Sequence, residues 1–253
     1  MKIPIYQVDA FSSSVFAGNP AAVCPLREWL ADDVLQAIAA ENNLSETAYY
    51  VPEGNHYRLR WFTPKVEVDL CGHATLASAF VIGQPEVRFL TKSGELTVTR
   101  QGDLFTLDFP SRAPALEPVN PGLFAALGGN PLELLAARDY LVVYESEEEV
   151  RALTPDMQAL CGIDRFAVIV TAPGKKCDFV SRFFAPAKGV PEDPVTGSAH
   201  CTLTPYWAAR LGKSSLHAFQ VSGRGGELWL EDKGERVTIS GHGALYLEGA
   251  IYI

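Results

Sequence analysis

Two short stretches carry most of the residues able to do chemistry, Cys71-Gly72-His73-Ala74-Thr75 and Thr196-Gly197-Ser198-Ala199-His200. Each sets a glycine ahead of an apolar run, residues 76–82 in the first case and 203–211 in the second. A glycine that opens a helix leaves unpaired backbone N–H groups pointing outward, backed by the positive end of the helix dipole. One such turn is a modest anion site, and two facing each other would hold a small carboxylate between them. His73 follows the first glycine, where an imidazole can pass a proton at physiological pH. A helix-start histidine bonded to the backbone is the alternative. Cys71 precedes the same glycine, where the dipole favours a thiolate; its alternative is a small buried hydrophobe. Thr196 holds the corresponding place in the second stretch and cannot be a thiolate, so a relay of two cysteines is not available.

Three further residues have acid–base or anchoring chemistry. Glu46 is a lone acid entering an apolar stretch, Leu44-Ser45-Glu46-Thr47-Ala48-Tyr49-Tyr50. Burial would raise its pKa and make it a proton shuttle near neutrality; a solvent-facing glutamate at a strand edge is the alternative. Asp193 precedes Pro194 and lies five residues ahead of Ser198. An Asp before Pro commonly caps a turn, and Ser198 suits a helix cap or first turn as readily as a ligand contact. Other signals are missing. There is no GxSxG, no P-loop and no GxGxxG after a strand, and the five histidines are not at metal-ligand spacing. No metal is expected.

The chain of 253 residues is long enough for one large domain or two medium ones. With 47% hydrophobic and 20% charged residues it has the material for a real core. A net charge of −9 with no Lys/Arg cluster argues against a nucleic-acid surface. No apolar stretch approaches the ~18–20 residues of a membrane span, and the N-terminal residues lack the apolar core of a signal peptide. Five scattered cysteines without a CxxC pair suit a reducing cytoplasm.

The elements that must position these residues repeat. Arg60-Trp61-Phe62-Thr63-Pro64 returns as Arg182-Phe183-Phe184-Ala185-Pro186, ahead of each glycine turn. Pro64 to Pro186 is 122 positions, Gly72 to Gly197 is 125 and Glu95 to Glu227 is 132. A slowly growing offset marks a duplicated unit that then took insertions, at a period far longer than the ~20–50 residues of a solenoid. The spacing predicts helices over residues 29–40 and 74–82, the latter buried on every side, and a helix in two pieces split near Pro155 over 147–160. Strands are expected over 3–10, 45–51, 57–62, 87–90, 94–99, 104–109, 140–144, 163–171, 179–184, 216–221, 227–230, 237–240 and 244–253, with 111–121 as linker. Pro205 should kink the second long helix or disrupt its early turns. The fold class is α+β: two similar lobes, residues 1–115 and 116–253, each a barrel-like sheet around a central helix, with the final strand able to pack on the first lobe. The glycine turns are expected to meet at a cleft.

Four ordered motifs carry a resemblance. Gly18-Asn19-Pro20-Ala21-Ala22-Val23, Asn43-Leu44-Ser45-Glu46-Thr47, Cys71-Gly72-His73-Ala74-Thr75 and Asp193-Pro194-Val195-Thr196-Gly197-Ser198-Ala199-His200 together resemble the phenazine-biosynthesis isomerase (PhzF-like) family, related in fold to diaminopimelate epimerase and proline racemase. The resemblance spans the whole chain and implies the two-lobed epimerase-like fold, an isomerase and no cofactor; a small carboxylate substrate, a cytoplasmic location and a homodimer are expected beside it. In the phenazine enzyme a glutamate moves a proton between carbons of a dihydro-hydroxyanthranilate, assisted by a histidine, an aspartate and a serine; by motif these fall on Glu46, His73, Asp193 and Ser198. Asn19, Cys71, Gly72, Thr196 and Gly197 are then expected to contact the substrate. The epimerase branch uses one cysteine from each turn, and Thr196 departs from that pattern. A racemase, epimerase or dehydratase using Cys71 alone is the alternative reading, and a silent binding protein of the same fold is a third.

Overall fold

The structure is a computed structural model that describes residues 1–253. The chain forms two compact units, Met1–Asp108 with Ser240–Ile253, and Phe109–Ile239. The first crossing therefore lies a few residues ahead of the proline-rich stretch, and residues 111–121, expected as linker, lie inside the second unit. There Ser111 N–H donates to the Glu235 carbonyl and Arg112 N–H to the Cys201 carbonyl, both at 2.9 Å.

In the first unit the elements run β1 (Lys2–Ala10), β2 (Asn19–Pro25), α1 (Asp32–Asn42), β3 (Glu46–Glu53), β4 (His56–Phe62), β5 (Glu67–Val68), α2 (Gly72–Ile82), β6 (Glu86–Thr91), β7 (Gly94–Gln101) and β8 (Leu104–Pro110). β1 and β2 are antiparallel. β2 and β3 run parallel, Ala21 opposite Glu46, with α1 making the crossover. β3 and β4 are antiparallel. β4 and β6 run parallel, Tyr57 opposite Phe89, with α2 as crossover. Parallel strands are covered on both faces, which is why residues 21–24 and 47–50 are continuously buried instead of alternating. α2 is the central helix. Residues His73 to Ala79 are all buried, and its hydroxyls turn back on its own backbone, Thr75 Oγ1 to the Cys71 carbonyl at 2.6 Å and Ser78 Oγ to the Ala74 carbonyl at 2.7 Å. Small residues all round let strands approach it from every side.

The second unit continues with β9 (Ala115–Leu116), α3 (Pro121–Leu127), β10 (Glu133–Ala136), β11 (Tyr140–Val143), α4 (Glu147–Ala152), α5 (Met157–Leu160), β12 (Val168–Pro173), β13 (Phe179–Phe184), α6 (Gly197–Leu211), β14 (Ser215–Gln220), β15 (Gly226–Asp232) and β16 (Arg236–Gly241); β17 (Gly243–Tyr252) belongs to the first unit. The pairings follow the same order. β10 and β11 are antiparallel, β11 and β12 parallel across α4 and α5, β12 and β13 antiparallel, β13 and β14 parallel across α6, and β14 and β15 antiparallel. The duplication read from the offsets is thus written in the ladders. β17 pairs with β1 from Lys2 opposite Tyr252 to Ala10 opposite Gly243.

Three expectations change. The strand expected from residue 163 begins at Val168, because the chain turns at Cys161 and Gly162 and bends over residues 164–166. Residues 19–25 are a strand, and α3 and β10 were not foreseen. α6 runs unbroken from Gly197 to Leu211 through Pro205. Proline removes the N–H that would bond back to Cys201, and the freed Cys201 carbonyl instead accepts from the backbone N–H of Arg112. The orphaned acceptor is satisfied from outside the helix.

Candidate functional site

The same device holds the approach to both glycine turns. Arg60 of β4 grips the Glu67 carboxylate with Nε and Nη2 at 2.8 and 2.9 Å, and its guanidinium lies 5.1 Å over the Phe62 ring. Arg182 of β13 grips Glu192 at 2.7 and 3.0 Å and lies 4.9 Å over Phe184. Paired, planar Arg–carboxylate contacts fix direction as well as distance. Arg60 holds the Glu67 carboxyl down to about 2, so this staple is charged across the physiological range. Glu67 lies four residues before Cys71, and Glu192 immediately precedes Asp193. The two arginines are thus what brings each loop to its helix start.

In the first unit the fold gathers Glu46, Cys71 and His73. Glu46 opens β3, side chain half-buried, and its Oε2 is 2.9 Å from His73 Nε2. Cys71 Sγ lies 3.5 Å from His73 Nδ1 and 3.8 Å from Nε2. Cys71 is the N-cap of α2 and makes no side-chain cap bond. Burial pushes the Cys71 thiol up to about 11, and the Glu46 charge adds to this, outweighing the opposing pull of His73. The sulfur is a thiol at neutral pH, not the thiolate that the dipole argument anticipated. For His73, burial alone would lower the pKa, but the Cys71 and Glu46 groups beside it reverse the sign and hold it well above its ordinary value.

The second unit gathers a different set. Thr196, the N-cap of α6, also makes no side-chain cap bond, because its hydroxyl donates to Asp193 Oδ2 instead. A fully buried Gln220 at the end of β14 completes the arrangement: its Oε1 accepts from Thr196 N–H at 2.9 Å, and its Nε2 donates to the Asp193 carbonyl at 2.8 Å and to Thr196 Oγ1 at 3.1 Å. The amide takes the Thr196 lone pair, so the hydroxyl proton can only point at Asp193. Ser198 is half-buried in the first turn, and Gly72 and Gly197 are the first residues of their helices. Asn19 is buried at the start of β2. It follows Gly18, whose positive φ of 69° and position, where a Cβ would stand 2.2 Å from the Ala10 carbonyl oxygen, admit only glycine.

Gln220 was missed in the sequence. Its one signal was a polar side chain closing the otherwise strand-like Leu216–Val221 stretch. His200, in the second motif, takes no part in the polar cluster: its Nδ1 bonds to the Thr196 carbonyl at 2.8 Å and burial lowers its pKa to about 4. Glu46, Cys71 and His73 are the group whose ligating atoms lie close enough together to hold a metal ion.

Residues 8–249 match the family model described as phenazine biosynthesis-like protein. The chain belongs to that family. An uncharacterized isomerase of Pseudomonas aeruginosa is 54% identical over 259 residues, covering 100% of both chains. The human phenazine biosynthesis-like domain-containing protein is 40% identical, covering 99% of both. Among solved structures, a phenazine biosynthesis protein of the PhzF family from Enterococcus faecalis is 49% identical and superposes with a TM-score of 0.99 over 100% of both chains. A hydroxyproline epimerase from Agrobacterium vitis, 12% identical, reaches 0.59 over 99% of this chain and 92% of its own. That likeness places this phenazine biosynthesis-like chain in the epimerase fold and carries no activity with it.

Proposed function

We propose that this protein is a cofactor-independent isomerase that moves a proton on a small, cyclic or aromatic carboxylate, with Glu46 as the general acid–base. The observation that carries this reading is the Glu46–His73 contact of 2.9 Å beside an uncapped helix start. A proton shift between two carbons needs one group that removes a proton and returns it within the same turnover. A carboxylate paired with a protonated imidazole can do this, the imidazole stabilising the carboxylate between the two halves and orienting it. The uncapped N–H groups of α2 suit a substrate carboxylate. Asp193, held by Thr196 and Gln220, and Ser198 take the substrate's remaining polar groups, with Asn19, Gly72 and Gly197 as further contacts. The names of the bacterial relatives support the reaction class.

A neutral thiol at Cys71 and a threonine hydroxyl committed to Asp193 weigh against two-base racemisation. The test is a thermal-shift screen of small carboxylates, followed by deuterium uptake from heavy water into any hit. Exchange that survives Glu46→Gln but is abolished by Cys71→Ala would hand the chemistry to the thiol and replace this reading with the racemase-like one.

The homodimer and the cytoplasmic location belong to the same proposal. Leu245, Tyr246 and Leu247 on β17 are exposed apolar surface for a second copy, which light scattering would detect as twice the chain mass. No helix is long and apolar enough to cross a membrane, and all five cysteines are free thiols.

A further inference from the structure

The histidine spacing shows no metal pattern, yet the fold sets a sulfur, a ring nitrogen and a carboxylate oxygen within 4.8 Å of one another, from Cys71, His73 and Glu46. Metal–ligand bonds of about 2.0–2.3 Å in a tetrahedral zinc site place neighbouring donors roughly 3.3–3.6 Å apart. His73 Nε2 is 2.9 Å from Glu46 Oε2 and 3.8 Å from Cys71 Sγ, so the observed edges bracket that spacing. We propose that Glu46, Cys71 and His73 bind a borderline divalent cation of the zinc class, with three protein donors and a fourth position open.

The donor chemistry selects the ion. A sulfur with an imidazole and one carboxylate favours Zn²⁺ and Co²⁺, whereas Mg²⁺ and Ca²⁺ require oxygen shells that this pocket does not offer. The charges also balance. Binding displaces one proton from the Cys71 thiol and one from the His73 imidazolium; the resulting thiolate and the Glu46 carboxylate then cancel the dication, so the site buries an ion without burying net charge. Two donors are fixed by the start of the buried α2 and the third by the first ladder pair of β3. Closing the set takes a turn of the Cys71 side chain from the Nδ1 edge of the ring toward Nε2. Binding occupies Glu46 and His73 together, so the cation acts as an inhibitor. That consequence alone rests on the catalytic reading; the binding itself does not.

The experiment is a titration of the metal-stripped full-length chain with Co²⁺ under reducing conditions, without substrate. The expected result is a sulfur-to-cobalt charge-transfer band that saturates at one equivalent and is displaced by Zn²⁺. Cys71→Ser removes the band, while Cys161→Ser, at the exposed thiol, leaves it unchanged. Should Cys71→Ser fail to fold, Glu46→Gln keeps the sulfur: the band persists and Co²⁺ affinity falls at least about 10-fold, the loss expected even from disturbing an outer-shell partner. No band, a band that follows Cys161 instead of Cys71, or an affinity untouched by Glu46→Gln overturns the proposal. Because the readout is spectroscopic and substrate-free, each of these failures is separate from a failure of the proton-transfer reading.

Discussion

His73 and His200 lie in the first turns of the two helices that the duplication made equivalent, and both are buried, 6% and 0% exposed. Their protonation runs in opposite directions. His200 meets only a backbone carbonyl through Nδ1, and burial takes it down to about 4. His73 suffers the same burial, yet the groups around it hold it well above its ordinary value. The difference lies in two neighbours, Cys71 and Glu46. Glu46 stands 2.9 Å from His73, and its register equivalent in the second unit, on β12, brings no acid to His200. By the Gly72-to-Gly197 offset His200 stands where the first helix has Thr75, and it bonds to the Thr196 carbonyl as Thr75 does to that of Cys71, so the two units place their histidines at different steps of equivalent helices and beside different neighbours.

The largest expected effect comes from removing that neighbour. Glu46→Gln should leave the fold intact and lower turnover by roughly 10²-fold or more, the scale of a lost general acid–base, read as deuterium uptake into a bound substrate. It should also bring His73 down toward the behaviour of His200, visible as an upfield move of its imidazole titration by NMR. An unchanged His73 titration would mean that Glu46 is not its charge partner.

Next is the clamp on the second helix start. Gln220→Leu removes the acceptor of the buried Thr196 N–H and the amide donor to the Asp193 carbonyl, at a cost of about 1–3 kcal/mol for the stranded N–H. Denaturant unfolding should register that loss, and substrate affinity should weaken more than turnover if Asp193 serves binding. Equal losses in both would move Asp193 to the chemistry itself.

His200 gives a pH test. Its folded-state pKa of about 4 lies below the ordinary ~6.5 of an unfolded chain, so below pH 6.5 the unfolded state takes up the proton first. Stability is therefore full above pH ~6.5 and declines as pH falls toward 4, by up to about 3 kcal/mol for this fully buried group. His200→Asn keeps a donor for the Thr196 carbonyl and should flatten that dependence, at some cost in stability from the smaller side chain. A wild-type midpoint in urea that holds constant between pH 7 and 4.5 would contradict the assignment.

The smallest effect is expected at Cys71. As a neutral buried thiol it contributes packing, and Cys71→Ala should change turnover by no more than a few-fold. Iodoacetamide should label the exposed Cys161 well before Cys71, mapped by mass spectrometry.

Much of this was legible in the residues. The offsets between Pro64 and Pro186 and between Gly72 and Gly197 announced the duplication, and the Ala74–Ile82 run, apolar but for Thr75 and Ser78, announced a central helix. The repeated Arg-x-Phe-x-Pro marked the approach to each glycine turn, but not the grip of its arginines on Glu67 and Glu192. What was illegible was pairing at a distance. Nothing in sequence tells that Cys71 loses its thiolate character to burial, or that a glutamine 24 residues beyond Thr196 will close on it. The break expected as one outcome of Pro205 does not occur, for the same reason. The rule for proline in a helix considers the helix alone, and Arg112, almost ninety residues earlier, supplies the missing donor.

β17 carries a consequence for how the molecule is made. It lies against β1 over the full length of both strands, and Ile253 N–H reaches the Met1 carbonyl at 2.9 Å. The second unit is continuous, Phe109 to Ile239, and owns all of its strands before residues 243–252 have left the ribosome. The first unit, translated earliest, must wait with one flank of β1 unpaired, an edge of the kind that invites wrong partners. Domains ordinarily complete themselves in the order of synthesis. Here completion runs backwards, and the Glu46–His73 pair is set into the half that closes last.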